Sequence, residues 1–109
     1  MAYLNLSAFE DKSQEYQTKI FDLFIQYMPI WLNDLQIHFD NKDWKQLANT
    51  AHTIKPNILL FGIEALRGDI VDIETIARER TNLDNLDALI KKTIDIGLLA
   101  VEELKSIMK

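Results

Sequence analysis

Cysteine is absent from the 109 residues of this chain, and glycine and proline occur only three times and twice. Without cysteine the chain can form no disulfide and has no thiolate nucleophile or metal ligand. No stretch approaches the ~18 consecutive apolar residues of a membrane-spanning helix. The N-terminus also lacks the basic region and apolar run of a signal peptide. We therefore expect a cytoplasmic protein.

Positively charged residues are also few. The chain has 12 Lys and Arg residues against 17 Asp and Glu residues, which gives a formal net charge of -5. That balance argues against nucleic acid or an anionic membrane as the main partner. A chain of this length can bury one core, and we expect residues 1–109 to form one domain. We expect that domain to be a monomer.

The scarcity of glycine and proline, together with the lack of two-residue alternation, predicts an all-α protein. Four long segments with helical spacing of apolar residues are separated by Asn41, Gly62 and Asn82. The pattern predicts an antiparallel four-helix bundle with a short additional N-terminal helix. The expected helices cover roughly 4–11, 13–40, 43–61, 64–80 and 84–108, and either Asn41 or Asp43 is the expected cap of the third.

The longest segment carries more apolar residues than one helix face needs, which predicts contacts with more than one neighbour. Pro29 within it predicts a local kink, because proline cannot donate to the carbonyl four residues earlier. Small residues in the last segment, Thr93, Gly97 and Ala100, predict close approach of a neighbouring helix. The longest segment has its main apolar face at Phe21, Phe24, Met28, Leu32, Leu35 and Phe39, widened by Ile20, Tyr27, Ile30 and Trp31; Trp44 is a further expected core aromatic.

The segment from Ala51 to Gly62 is the most informative part of the chain. At 100° per residue, His52 lies on the flank of an apolar side and should point outward, with Lys55 beside it. Gly62 suits the left-handed conformation that ends a helix. The apolar side consists of Leu47, Ala51, Ile54, Ile58 and Phe61.

Taken alone, a histidine on a helix is more often a solvated or hydrogen-bonded structural residue than a reactive one. His38 serves as the comparison, because no lysine follows it at the same spacing and we interpret it as structural. The carboxylates Asp69, Asp72 and Glu74 could be imagined as metal ligands, but such a run is usually a solvated helix face. A metal-dependent helical-bundle enzyme therefore has little support.

The motif resembles that of the histidine-containing phosphotransfer (HPt) family, approximately Ala-His-x-Leu-Lys-Gly-Ser/Ala with a glycine ten positions after the histidine. Ala51, His52, Lys55 and Gly62 match, and Ile54 stands for leucine. Two positions depart from the family pattern: Pro56 replaces the usual glycine and Asn57 a small residue. The likeness extends to the succession of helices over nearly the whole chain.

The resemblance implies a phosphocarrier in which His52 accepts a phosphoryl group and passes it on. Neutral imidazole is a nucleophile, and histidine titrates near ~6.5 when unperturbed. Lys55 would neutralise part of the roughly two negative charges that a phosphoryl group brings. The chain has no Walker-type loop and no kinase signature, so we expect no ATP binding and no autonomous kinase activity.

The partners implied by the resemblance are response-regulator receiver domains and a hybrid histidine kinase. We expect no metal or cofactor on this chain, because Mg²⁺ would belong to the receiver. Ala48, Pro56 and Leu59 should surround His52 as a docking surface, with Phe24 and Met28 contributing from the preceding helix. Pro56 is either a tolerated kink or a means of keeping space beside the imidazole. The alternative function is a helical adaptor that docks a receiver or partner helix without phosphoryl chemistry.

Overall fold

A computed structural model describes residues 2–109, and that part of the chain is helical without β-strands. Each long helix packs against its neighbours around one contiguous apolar cluster: α1 contacts α2 and α4, and α3 contacts α2 and α4. None of the helices from Ala2 onward is both long and apolar enough to cross a membrane. The four long helices are α1 (Gln14–Asp40), α2 (Trp44–Leu60), α3 (Glu64–Glu79) and α4 (Leu86–Met108).

The helix boundaries follow local capping chemistry. The side chain of Ser13 accepts from the backbone N–H of Tyr16 at the start of α1. Asp43 caps α2 in the same way, by accepting from the N–H of Gln46 at 3.2 Å. Such caps satisfy backbone donors that have no partner within the helix. Of the two residues predicted for this cap, Asp43 has the role, and Asn41 instead ends α1.

Gly62 ends the α2 region in the left-handed conformation, with φ of 63°. A Cβ at this position would lie 2.6 Å from the carbonyl oxygen of Asn5, so the site excludes a side chain as well. The N–H of Asn5 donates to the carbonyl of Phe61 at 2.9 Å. The N-terminal segment is therefore fastened to the end of the helix that carries His52.

Two predicted elements differ from the structure. The short N-terminal helix is only a 3₁₀ turn, Ser7–Phe9, because so short a segment makes too few helical hydrogen bonds to offset the cost of nucleation. A second 3₁₀ turn, Leu83–Asn85, precedes α4, which begins at Leu86. At the other end of α4, Ile107 is 54% exposed.

The wide apolar surface of α1 is only half buried. Its main face packs as predicted, with the exception of the half-buried Phe39. Trp31 and Trp44 are also half-buried and pack against the core. Tyr27 and Ile30, expected to contact a neighbouring helix, are instead 40% and 52% exposed. They lie on the side of α1 that faces away from the other helices, so the prediction that they join the core was wrong.

The close approach predicted for α4 occurs at Gly97. A Cβ there would lie 2.7 Å from Cδ1 of Leu32 on α1. Leu32 is 1% exposed and belongs to the closely packed core. Glycine at position 97 therefore sets the distance between α1 and α4.

Candidate functional site

His52 lies in the middle of α2, on the side that borders α3. The predicted apolar side of α2 is fully buried, which fixes the helix and the direction of its flanking residues. The side chain of His52 is 63% exposed. The sequence-based prediction that this imidazole faces outward is confirmed.

Glu74 on α3 is the principal partner of His52, and sequence reasoning missed it. Its Oε2 atom lies 3.0 Å from Nδ1 of His52. The sequence pattern predicts a solvated acidic face for Glu74 together with Asp69 and Asp72, but the side chain of Glu74 is only 13% exposed. Asp69 is also partly buried and pairs with Lys92 on α4, whereas Asp72 is exposed.

Three cationic or donor side chains converge on the Glu74 carboxylate. Nζ of Lys55 lies 3.3 Å from Oε1, and Nε and Nη2 of Arg78 donate to Oε2 at 3.1 and 3.0 Å. Burial raises the pKa of Glu74, but hydrogen bonds from Arg78, Lys55 and His52 outweigh that effect and hold it below its usual value of 4.5. The group is therefore a carboxylate at neutral pH.

An ionised carboxylate can only accept hydrogen bonds, so Nδ1 of a neutral His52 must carry the proton that it donates to Glu74. The other ring nitrogen, Nε2, then keeps its lone pair. In this tautomer the exposed imidazole can act as a nucleophile or as a general base through Nε2.

The charges around the imidazole favour an anion. Glu74 contributes one negative charge. Lys55 and Arg78, each within hydrogen-bond distance of the Glu74 carboxylate, contribute two positive charges, so the three side chains together carry one net positive charge. Toward the start of α2 and the end of α3 lies a pocket of about 250 Å³, here called the cationic pocket. It is lined by Lys45, Ala48, Ala77, Arg78 and Arg80.

The predicted docking residues are distributed differently from expectation. Leu59 is 48% exposed and Pro56 is exposed, so both are accessible beside His52. Ala48 is only 1% exposed, because the flank of α2 on which it lies packs against α3. Phe24 and Met28, at 2% and 1%, belong to the core and cannot form part of a surface. The expectation that these three residues are exposed was wrong.

Pro56 occupies an interior position of α2 without ending the helix. It leaves the carbonyl of His52 without a backbone N–H four residues later. The neighbouring carbonyl of Thr53 accepts from the side chain of Asn57 at 3.2 Å. The two departures from the HPt motif, Pro56 and Asn57, thus both lie in the turn that follows His52.

Residues 2–109 contain no group of three or more metal-ligating side chains that could hold an ion. Comparison of the chain with protein-family models, curated proteins and solved structures returns no match. The case for function therefore depends on the geometry around His52.

Proposed function

We propose that this protein is a histidine phosphocarrier, in which Nε2 of His52 accepts a phosphoryl group from a receiver-domain aspartate and donates it to another. The observation that carries the proposal is an exposed imidazole whose Nδ1 is held 3.0 Å from a largely buried, ionised carboxylate. Such an arrangement fixes both the tautomer and the ring orientation. A solvated structural histidine needs neither.

In the proposed step, the lone pair of Nε2 attacks phosphorus as the P–O bond to the aspartyl carboxylate breaks. The carboxylate leaves with the bonding electrons, and the imidazole ring becomes positively charged with its proton still on Nδ1. Glu74 stabilises that charge through the existing hydrogen bond. No oxidant, reductant or nucleotide is needed, and Mg²⁺ would be bound by the receiver.

The cations near Glu74 suit the product. A phosphoryl group on Nε2 brings about two negative charges. Lys55 is 32% exposed at its side chain and can shift from Oε1 of Glu74 toward the phosphoryl oxygens. Transfer of this kind is accelerated mainly by positioning and charge neutralisation.

The proposal also covers the arrangement of the helices, the location of the protein, its partners and its docking surface. We propose that the four helices form an antiparallel bundle, that the protein acts in the cytoplasm, and that receivers and a hybrid histidine kinase are its partners. We propose that Leu59 and Pro56 supply the apolar contact of the docking surface. The cationic pocket, with Lys45, Arg78 and Arg80, would accept acidic groups of the partner.

The decisive experiment is incubation of the protein with a panel of phosphorylated receivers. We expect acid-labile, alkali-stable phosphate on this chain, as is characteristic of phosphohistidine. Receiver binding without any transfer would reject the carrier function and select the adaptor alternative. Absence of both binding and transfer across the panel would count against the entire proposal.

The docking surface has a matched pair of residues for its own test. Leu59 on α2 and Leu99 on α4 are each 48% exposed. Leu59→Arg should weaken receiver binding, because it places bulk and charge beside His52. Leu99→Arg should leave binding unchanged. Equal effects of the two substitutions would place the docking surface elsewhere.

A further inference from the structure

An apolar face runs along the outside of α1, on the side that the other helices leave uncovered. Its residues recur at helical spacing and each expose between 40% and 52% of their surface. At 100° per residue they fall within about 80° of one another, roughly 140° from the buried face of the same helix. This α1 outer face consists of Tyr16, Leu23, Tyr27, Ile30 and Ile37.

The face is long. From Tyr16 to Ile37 it extends about 32 Å at 1.5 Å per residue. Tyr27 stacks on Trp31, with ring centroids 5.8 Å apart, which fixes a flat aromatic surface near the middle. Single exposed apolar residues need no explanation, but five of them on one face of a helix form a patch of the kind found at interaction sites.

Two charged residues lie within the angular range of this face, Lys19 and Asp34. Neither forms an ion pair with another residue between Ala2 and Lys109. They have opposite signs and lie at opposite ends of the face. A second molecule could therefore provide an oppositely charged partner for each of these two side chains.

The positions along the face are symmetric about the point between Gln26 and Tyr27. Lys19 and Asp34 are equally distant from that point, and so are Leu23 and Ile30. Tyr16 and Ile37 form a third such pair. When two copies of α1 lie antiparallel about a twofold axis at this point, Lys19 lies level with Asp34 of the other copy. Leu23 then lies level with Ile30, and Tyr16 with Ile37, while Tyr27 lies level with Gln26 at the centre.

We propose that the α1 outer face is a self-association surface, on which a second copy of this chain packs its own α1 in antiparallel orientation. The two Lys19–Asp34 pairs fix the register, and the apolar layers between them provide the contact. A parallel arrangement would instead place Lys19 against Lys19 and Asp34 against Asp34, which is unfavourable. This proposal replaces the expectation of a monomer.

The dimer does not depend on phosphotransfer and does not occlude its site. His52 borders α3 through its bond to Glu74, whereas the α1 outer face points away from the helices that pack on α1. Both copies of His52 would remain accessible to receivers. A face one helix wide is at the small end of specific interfaces, so dissociation in the micromolar range is expected.

The first test is the mass of the full chain in solution, measured by analytical ultracentrifugation from about 1 μM to about 1 mM, which brackets the expected dissociation. We expect a shift from the monomer mass to twice that mass. Ile30→Asp should abolish the shift, and Leu98→Asp should not, because Leu98 is a comparably exposed residue on α4. A monomer at all concentrations would overturn the proposal, as would equal loss in both variants.

The second test is a charge exchange that only the antiparallel register predicts. Lys19→Asp alone and Asp34→Lys alone should each weaken the dimer about tenfold, because each brings like charges together. The double variant Lys19→Asp/Asp34→Lys should restore it to within about twofold. Failure of restoration, with circular dichroism showing intact helices, would overturn the register.

Disulfide trapping gives an independent check, because the natural chain has no cysteine. Gln26→Cys lies at the proposed twofold axis and should form a disulfide-linked dimer under mild oxidation. Tyr16→Cys lies about 30 Å from its symmetry mate in the antiparallel arrangement and should not. Efficient trapping through Tyr16→Cys would mean a parallel dimer.

A receiver titrated into the protein gives a further outcome. If it perturbs the α1 outer face and the chain shows no self-association, the face belongs to the receiver interface instead.

Discussion

Oε2 of Glu74 lies 3.0 Å from Nδ1 of His52, although the two residues are 22 positions apart and belong to different helices. The contact joins an exposed imidazole to a carboxylate that is largely buried. Arg78, one turn later on α3, holds the same carboxylate oxygen. The orientation of the ring is therefore determined by α3 and not only by its own helix.

This contact predicts that Glu74→Gln slows phosphoryl transfer without preventing it. The amide can still hydrogen-bond to Nδ1, but it carries no charge to stabilise the positively charged ring. We expect the transfer barrier to rise by about 1–2 kcal/mol, which lowers the rate roughly 5- to 30-fold. Single-turnover transfer from a phosphorylated receiver measures it. Glu79→Gln, an exposed carboxylate at the end of the same helix, is the control and should transfer at the normal rate.

The same carboxylate predicts a dependence of stability on pH. Because the pKa of Glu74 is lower in the folded protein than its usual 4.5, its ionised form favours folding. That contribution is fully present above pH 4.5 and is lost as the pH falls through the lowered folded value. Urea unfolding at a series of pH values should therefore show Glu74→Gln less stable than the natural protein near pH 7, by about 1 kcal/mol. A difference that grew as the pH fell below 4.5 would contradict the assignment.

His52 should be the sole phosphoryl acceptor of the two histidines. His52→Gln should abolish transfer while leaving helicity unchanged, since the side chain is 63% exposed and contributes little to the core. His38→Gln should transfer normally, because His38 lies near the C-terminal end of α1 and not at the Glu74 site. Mass spectrometry of the phosphorylated chain provides the measurement. Retained phosphorylation in the His52 variant would refute the assignment.

Lys55 should assist transfer through its charge. Lys55→Ala should slow transfer and lower the occupancy of the phosphorylated form by an amount equivalent to about 1–2 kcal/mol. Lys55→Arg should keep part of the effect, because it preserves the charge at a longer reach. If Lys55→Glu transferred at the natural rate, the role given to this residue would be wrong.

Two glycines provide a matched test of helix packing. Gly97→Ala should destabilise the fold by about 1–3 kcal/mol, because the new methyl group would overlap Cδ1 of the buried Leu32. Gly68→Ala, on an exposed part of α3 with no atom within 4 Å, should stabilise it by about 0.5–1 kcal/mol. Thermal unfolding of both variants measures the difference. Equal shifts would show that α1 and α4 are not in close contact at Gly97.

The sequence was sufficient for those features that depend on one helix at a time. The spacing of Leu47, Ala51, Ile54 and Ile58 predicted the buried side of α2 correctly, and His52 followed from it as an exposed residue. Gly62 was predicted in the left-handed conformation for a reason that lies entirely in its missing Cβ.

The features that were missed depend on where neighbouring helices lie. Ala48 and Glu74 both border the buried side of their helices, and a helical pattern alone does not say which border meets another helix. Ala48 is covered by α3, and Glu74 faces α2. The one available signal was Arg78, four residues after Glu74, which suggests a held carboxylate. The prediction that Tyr27 and Ile30 join the core was wrong for the opposite reason, since no helix covers the side of α1 on which they lie.

The burial of α2 also bears on the entropy of the proposed phosphoryl transfer. His52 is carried by a helix whose core residues lie within one turn on both sides, and Gly62 and Asn5 fasten its end. Its backbone has almost no conformational freedom left to lose, and Glu74 already restricts rotation of the ring. A partner that docks here meets a nucleophile that is ordered in advance. The entropic cost of reaching the reactive geometry therefore falls on the partner's side of the complex, and most of the variation in transfer rate between partners should originate there.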